Sequence, residues 1–160
     1  MNHFVDLLVP IDGSEASNAT LDWAANTLNK TNTRFHLLTV IKILPELPSD
    51  ENDVERATEI LSQAKARLEA EGCSVASQQY TKGDPAEEIC RYAHDHQAEF
   101  SIQQVLIGSH GRTGFNKLLL GSVSSRVLEH CEIPVFVYRN QAKHPIKNTF
   151  IGKNTLLSAL

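Results

Sequence analysis

The sequence predicts an α/β protein in which helices cover both faces of a parallel β-sheet. Short apolar segments rich in β-forming residues alternate with amphipathic segments from Phe4 to Tyr138. One of the apolar segments, Arg34 to Ile41, is nearly continuous, which is typical of a strand buried on both sides. The chain has 160 residues, of which 41% are hydrophobic, enough for one domain with its own core. Strands that alternate with helices favour right-handed crossovers and therefore a doubly wound sheet.

The first predicted strand and helix meet at a turn. Phe4 to Ile11 predicts the strand, and the segment Asp12-Gly13-Ser14-Glu15 combines turn residues with a helix start. Asp12 has two possible roles at this point. One is the N-cap of the helix, with Glu15 completing a capping box, and the other, compatible with the first, is a ligand-binding residue at the end of the strand. The helix itself follows from apolar residues at three- and four-residue spacing, namely Ala16, Ala19, Trp23, Ala24 and Leu28.

A long second helix follows the strand Arg34 to Ile41. Its apolar stripe has helical spacing, and Gly72 occupies the position of a left-handed C-terminal cap. The charged residues between the apolar positions, Arg56 among them, are expected to form a solvated face. The stripe consists of Val54, Ala57, Leu61, Ala64 and Leu68.

The second half of the chain repeats the alternation. The predicted elements are a strand at Ser74 to Thr81, a helix opened by Asp84, Pro85 and Glu87, a strand ending in Val105-Leu106-Ile107 before Gly108, a helix from Ser122 to His130, and a strand at Val135 to Tyr138. Residues 141–160 show no clear period. The prediction is therefore one domain over residues 1–140 and a C-terminal tail, 141–160, to which the sequence assigns no role.

Composition and charge argue against several classes of protein. The formal net charge of −4 disfavours a nucleic-acid-binding surface, and no stretch approaches the ~20 apolar residues of a membrane helix. The amino terminus lacks the basic leader of a signal peptide. The three cysteines, Cys73, Cys90 and Cys131, show no CxxC spacing, so each is expected to be a reduced, buried small side chain. These observations predict a cytoplasmic protein that binds neither nucleic acid nor membrane.

The most specific motif is a glycine cluster after the fourth strand. Gly108, Gly111 and Gly121 have the spacing G-x2-G-x9-G-S, whereas the P-loop and dinucleotide-binding patterns are absent from the sequence. Glycines allow backbone N–H groups to approach phosphates, and the helix that starts at Ser122 favours an anion at its amino end. Ser124 could add a hydroxyl and Arg112 a positive charge. The alternative is that the glycines only turn the chain and cap a helix.

These motifs resemble the universal stress protein family. The resemblance rests on Val9-Pro10-Ile11-Asp12-Gly13-Ser14, Gly83-Asp84-Pro85, Gly108-Ser109-His110-Gly111-Arg112 and Leu120-Gly121-Ser122-Val123-Ser124, and it extends to Arg139. It implies a three-layer α/β/α sandwich with a five-stranded parallel sheet of order 3-2-1-4-5, an adenine nucleotide alpha hydrolase-like fold. Because the motif glycines and the serine are all present, it further implies the ATP-binding branch of the family. It also implies a homodimer formed through the last strand.

The resemblance assigns a nucleotide site residue by residue. Pro10 and Ile107 would wall the adenine, the backbone of Val40 would meet it, and Asp12 would lie near the ribose or a metal bound to the phosphates. Mg²⁺ would bridge phosphate oxygens, with Asp12 as a candidate ligand. His110 would pack by the ribose or phosphates, although a surface loop histidine is the alternative. The complete predicted site is Pro10, Ile11, Asp12, Val40, Ile107, Gly108, His110, Gly111, Arg112, Gly121, Ser122, Val123 and Ser124.

The function expected from these residues is an ATP-binding stress-response protein that acts as a nucleotide-dependent switch or binding module. The sequence shows no paired carboxylates, activated nucleophile or triad, so any ATP hydrolysis is expected to be slow. Two alternatives stay open. One is an enzyme with Asp12 and His110 in a hydrolase or nucleotidyl-transfer site, and the other is a dimeric interaction protein with a vestigial pocket. The sequence does not distinguish ATP from ADP or AMP as the ligand.

Overall fold

The computed structural model describes residues 4–44, 46, 51–96, 101–110, 120–139, 149–152 and 155–158. Strands and helices alternate through most of this chain. In order they are β1 (Val5–Pro10), α1 (Glu15–Thr27), β2 (Thr33–Lys42), α2 (Glu51–Ala70), β3 (Ser74–Gly83), α3 (Pro85–Asp95), β4 (Ile102–Gly108), α4 (Ser122–His130), β5 (Val135–Tyr138), β6 (Thr149–Gly152) and β7 (Thr155–Ser158).

The first five strands form one parallel sheet of order β3-β2-β1-β4-β5. This confirms the predicted topology. β1 lies at the centre, where Leu8 pairs with His36 of β2 on one side and with Val105 of β4 on the other. The strand order reverses direction at β1, and the carboxyl ends of β1 and β4 therefore flank a crevice of the kind that holds ligands in such sheets.

Two hydrophobic cores, one on each face of the sheet, create the three predicted layers. Successive residues of β1 point to opposite faces, so Leu7 and Val9 pack with α1 and α2, whereas Leu8 packs with α3 and α4. Leu61 and Leu68 of α2 belong to the first core, as the apolar stripe predicted. The helices α1, α2, α3 and α4 are thereby held against the sheet through their apolar faces.

The ends of two helices follow the predicted capping chemistry. Asp84 is the N-cap of α3, where one carboxylate oxygen accepts hydrogen bonds from the N–H groups of Ala86 and Glu87, both at 3.1 Å. Pro85 occupies the first helical turn, where a missing N–H costs nothing. At the end of α2, Gly72 has φ of +79°, the left-handed conformation expected for its position.

A buried line of polar side chains crosses three strands nearer their amino ends. The His36 imidazole lies 2.8 Å from an Asp6 carboxylate oxygen through Nε2 and 2.8 Å from the Ser77 hydroxyl through Nδ1. Arg34 donates to the other Asp6 oxygen at 2.6 Å. Asp6 and His36 are each 1% exposed, so these bonds replace the water that both groups lose on folding.

Part of the C-terminal tail has regular structure that the sequence did not predict. β6 and β7 pair antiparallel in a separate two-stranded sheet. Each strand has four residues, which is too short for an alternation to stand out from a polar context. Within the described ranges, no helix is both long and apolar enough to cross a lipid bilayer.

Candidate functional site

A cleft of about 680 Å³ opens at the carboxyl edge of the sheet. We call it the carboxyl-edge cleft. Residues from the ends of β1, β2 and β4 form its floor, and α2, α3 and α4 contribute to its walls. Its volume falls within the ~300–1,000 Å³ typical of small-molecule sites. The lining residues are Pro10, Ile11, Asp12, Leu38, Thr39, Val40, Ile41, Lys42, Asp53, Arg56, Ala57, Ile60, Asp84, Pro85, Ile89, Ile107, Gly108, His110, Leu120, Gly121, Ser122, Val123, Ser124 and Arg126.

The cleft gathers most of the predicted site. Eleven of the thirteen predicted residues line it, and the other two, Gly111 and Arg112, lie outside the described residues. The eleven come from two distant parts of the sequence and from the end of β2. They meet because parallel strands all end at the same edge of the sheet.

Asp12 is not the N-cap of α1, so one of its two predicted roles is wrong. The N-cap is Ser14, whose hydroxyl oxygen accepts a hydrogen bond from Ser17 N at 3.2 Å. Asp12 instead accepts from Ser14 N at 3.0 Å, in a turn that Gly13 completes with φ of +75°. The left-handed residue delays the helix by two positions and leaves Asp12 at the end of β1, on the cleft.

Gly13 also brings α2 close to this turn. A Cβ on Gly13 would lie 3.0 Å from Ile60 side-chain carbons, which is tighter than nine in ten Cβ contacts in proteins. Ile60 itself lines the cleft and packs against the core beneath α1 and α2. The glycine in this turn therefore serves both the backbone conformation and the approach of a helix.

Two hydrogen bonds join the end of β4 to the start of α4, and a third joins it to β5. Gly121 N donates to Ser109 O at 2.7 Å, and Ser109 N donates to Tyr138 O of β5 at 2.8 Å. The Ser124 hydroxyl donates to Gly108 O at 2.7 Å. These bonds fix the amino end of α4 against the sheet. The hydroxyl proton of Ser124, predicted as a donor to phosphate, is used within the protein.

Gly108 has a packing role that the sequence did not show. A Cβ on this residue would lie 3.0 Å from Thr20 Oγ1 and 3.2 Å from the carbonyl oxygen of Ala16. Both atoms belong to α1. The absence of a side chain therefore allows α1 to cross close to the end of β4, whereas the prediction was based on the approach of a ligand.

The amino end of α4 differs from those of α1 and α3. Its N-cap is Gly121, which has no side chain to accept from the first N–H groups, and its first turn contains no acidic residue. Ser14 and Asp84 cap the other two helices, and both of those helices carry glutamate in the first turn. Unpaired N–H groups and the helix dipole favour negative charge. The amino end of α4 is therefore suited to bind an anion in the cleft.

An ion pair that the sequence did not predict connects α3 with α4 along the cleft. Arg126 donates to an Asp84 carboxylate oxygen at 2.8 Å and to Glu87 at 3.4 Å. The hydrogen bond from Arg126 is the main reason why the pKa of Asp84 is lowered, and the same bond raises the pKa of Arg126. Sequence spacing gives no signal for such a pair, since its members lie on helices that only the fold brings together.

Basic and acidic groups of α2 and β2 complete the cleft. Arg56 was expected on a solvated face, and it is exposed, but it also lines the cleft together with Asp53 and Lys42.

His110 is half-buried and shares a hydrogen bond of 2.9 Å with the Ser109 hydroxyl through Nδ1. The described part of the chain contains no group of three or more His, Cys, Asp or Glu side chains that could hold a metal by themselves.

Comparisons with known proteins place these features in a family. The family model described as "Universal stress protein family" matches residues 4–139. Universal stress protein YxiE of Bacillus subtilis is 31% identical over 152 residues, which cover 85% of this chain and 99% of YxiE.

Solved structures give the same result for the fold. The structure of hypothetical protein MJ0577, from Methanocaldococcus jannaschii, superposes with a TM-score of 0.69 at 25% identity, covering 86% of this chain and 97% of that protein. A universal stress protein family protein from Arabidopsis thaliana, solved with AMP bound, superposes with a TM-score of 0.62 at 15% identity, covering 86% and 93%. Two further structures are complexes with cAMP and with dAMP. With the family model matching almost the whole described sheet and its helices, the chain belongs to the universal stress protein family.

Proposed function

We propose that the carboxyl-edge cleft binds an adenine nucleotide and that the protein acts as a nucleotide-dependent switch or binding module in a stress response. The observation that carries the proposal is the glycine-capped amino end of α4. This helix end lines the carboxyl-edge cleft, at the carboxyl ends of β1 and β4. An anionic group of a ligand would be stabilised there by N–H groups and by the helix dipole. That related structures hold AMP, cAMP and dAMP supports an adenine nucleotide as the ligand.

An apolar surface for the base is formed at the strand ends that line the cleft. Val40 and Ile107 belong to the core face that packs against α3 and α4, and both also line the cleft. Pro10, at the end of the strand between theirs, lies beside them. Three apolar side chains on neighbouring strands provide a surface on which a purine can stack, while Ile89 of α3 lines the same region.

Mg²⁺ is proposed to enter with the phosphates. Because the described residues form no metal cluster of their own, the ion would need phosphate oxygens and water for most of its coordination. Asp12 is the carboxylate at the end of β1 that we assign to this ion. Nucleotide binding should therefore weaken when Mg²⁺ is removed with EDTA, and Asp12→Asn should lose that sensitivity.

The direct test is calorimetric titration of ATP, ADP, AMP, adenosine and GTP. Ser122 and Ser125 offer a matched pair of variants, because both are exposed on the first turns of α4 and only Ser122 lines the cleft. Ser122→Asp should weaken ATP binding by at least about tenfold, since a like charge a few Å from a phosphate costs more than ~1.4 kcal/mol at an effective dielectric constant near 20.

Ser125→Asp is the control, because it adds the same charge outside the cleft lining. It should retain affinity for ATP within about threefold, as expected for a largely screened surface charge. An aspartate in a first helical turn also favours the helix, so a loss in Ser122→Asp would not reflect unfolding. Equal affinity of the two variants, or the absence of any heat with all five ligands, would contradict the proposal.

Two further parts of the proposal need their own measurements. A homodimer through β5 is suggested by its position at the end of the sheet, where one edge has no partner within that sheet. Sedimentation at micromolar concentration would show a single subunit mass if this is wrong.

Slow ATP hydrolysis, as the alternative activity, would be seen as phosphate release that Asp12→Asn abolishes. We assign the protein to the cytoplasm because all three of its cysteines are free thiols.

A further inference from the structure

Two cysteines that are far apart in the sequence meet on one outer face of the fold. Cys90 lies on α3, and Cys131 is the residue at the carboxyl end of α4. Cys90 packs against the buried apolar cluster that contains Cys131, where α3 and α4 meet. Cys131 is 5% exposed and Cys90 is half-buried. Two cysteines in one packed cluster are candidates for a disulfide, which requires backbones close enough to be bridged.

A small cavity gives access to this pair. It has a volume of about 130 Å³ and is separate from the carboxyl-edge cleft. Both cysteines line it, together with Ala93, His94, His130, Glu132 and Ile133. A cavity of this size admits water or a small peroxide but not a nucleotide.

The surroundings of the two sulfur atoms are unequal. A hydrogen bond from the Cys90 thiol lowers the pKa of Cys131, and burial opposes this effect. Hydrogen bonds from the N–H groups of Ile133 and Glu132 lower the pKa of Cys131 further. The same shared hydrogen bond, followed by burial, raises the pKa of Cys90, and nearby Arg126 opposes that rise only partly. Cys131 is therefore the thiol that ionises first.

We propose that Cys90 and Cys131 form a thiol–disulfide site that is oxidised by small hydroperoxides. In the first step the Cys131 thiolate attacks one peroxide oxygen, an S–O bond forms, the O–O bond breaks, and the leaving oxygen departs as water or an alcohol after taking a proton. In the second step the Cys90 sulfur attacks the Cys131 sulfenic acid. The S–S bond forms, the S–O bond breaks, and water leaves with the Cys90 proton, so that one peroxide is reduced for each disulfide formed.

Cys73 provides an internal control within the same chain. It is buried at the start of β3, beneath α2, and burial raises the pKa of its thiol. Because reactivity follows the thiolate, Cys73 should react slowly with peroxide and with alkylating reagents. The proposal therefore predicts an order of reactivity among three thiols that differ in environment.

The test is peptide mapping by mass spectrometry of the full chain after treatment with hydrogen peroxide near neutral pH. We expect one intramolecular disulfide, between Cys90 and Cys131, which dithiothreitol removes, and unmodified Cys73. Without peroxide, iodoacetamide should label Cys131 at least about tenfold faster than Cys73. Recovery of Cys90 and Cys131 as free thiols after peroxide, or labelling of Cys73 as fast as Cys131, would overturn the proposal.

Two serine variants separate the roles of the cysteines. Cys90→Ser removes the resolving thiol, so the sulfenic acid on Cys131 should accumulate and be captured by dimedone. Cys131→Ser should leave Cys90 unreactive towards peroxide. If dimedone instead labels Cys90 in the Cys131→Ser variant and nothing in Cys90→Ser, the assignment of the nucleophile is wrong. The mapping of the unaltered chain decides the site itself even if a variant does not fold.

Discussion

Replacing Asp84 should destabilise the protein through two separable interactions. Its carboxylate caps α3 by accepting from two N–H groups at 3.1 Å, and it also accepts a hydrogen bond from Arg126 of α4 at 2.8 Å. Asp84→Ala removes both interactions. Asp84→Asn keeps an oxygen that can cap the helix but removes the charge, because asparagine is as good an N-cap as aspartate.

The cap is the larger of the two contributions. Loss of a side-chain N-cap costs about 1 kcal/mol, and up to ~2 kcal/mol in favourable sites. The ion pair lies on the surface, where solvent and salt screen it, so its loss should be smaller. Asp84→Ala is therefore expected to lower the free energy of unfolding by ~1–2 kcal/mol. For a domain of this size that corresponds to a fall in Tm of roughly 2–8 °C.

Urea unfolding followed by circular dichroism measures both effects. Asp84→Asn and Arg126→Gln should each cost less than Asp84→Ala, and the two losses should not add in the double variant, because each removes the same ion pair. If Asp84→Asn is as destabilising as Asp84→Ala, the cap does not contribute as the geometry indicates.

The same residue predicts how stability depends on pH. The pKa of Asp84 is lowered in the folded protein, so the folded state binds its proton less readily than the unfolded state. The charge of Asp84 therefore stabilises the fold above the unfolded pKa of ~3.9, and that stabilisation is lost as the pH falls through the folded value. The difference between the unaltered protein and Asp84→Asn should shrink as the pH falls below ~3.9 and vanish at pH values where Asp84 is protonated in the folded state. A difference that persists there would mean that the ion pair is not its source.

Three further substitutions test other parts of the fold. Gly108→Ala places a Cβ 3.0 Å from Thr20 Oγ1, and it should cost ~1–3 kcal/mol in urea unfolding because α1 must move. Gly72→Ala meets no atom within 4 Å but keeps φ of +79°, so only backbone strain of ~1–2 kcal/mol is expected, and a larger loss would show a hidden contact. His36→Leu leaves the buried Asp6 carboxylate without one of its partners and should cost about 3–5 kcal/mol by thermal unfolding. A loss below ~1 kcal/mol would mean that water replaces the imidazole.

The elements of the fold were predictable because they depend on local chemistry. The apolar stripe of α2 and the Asp84-Pro85 cap of α3 place those helices without reference to the rest of the chain. The order of the strands came from the family resemblance instead. Alternation predicts a parallel sheet, but it does not determine which strand lies beside which.

The candidate site was predictable where the residues are contiguous. The glycine motif placed Gly121 and Ser122 at the amino end of α4, and the cleft includes both. Arg126 and Cys131 were missed as interacting residues, because their partners Asp84 and Cys90 lie on another helix and only tertiary packing brings them together. For Gly108, the sequence showed that a side chain was absent but could not show which neighbour required the space.

The central position of β1 has a consequence for how the chain folds during synthesis. β1 pairs with β2 as soon as the first half of the protein has emerged, but its other edge waits for β4, which is made nearly a hundred residues later (Leu8 against Val105). Until then a half-formed sheet of order β3-β2-β1 exposes the edge of β1, whose backbone N–H and C=O groups have no partner strand on that side. Such an edge can recruit strands from other nascent chains. Production of the first half alone, ending at Gly83, should therefore give aggregates, whereas the chain extended through β4 and β5 closes that edge by itself.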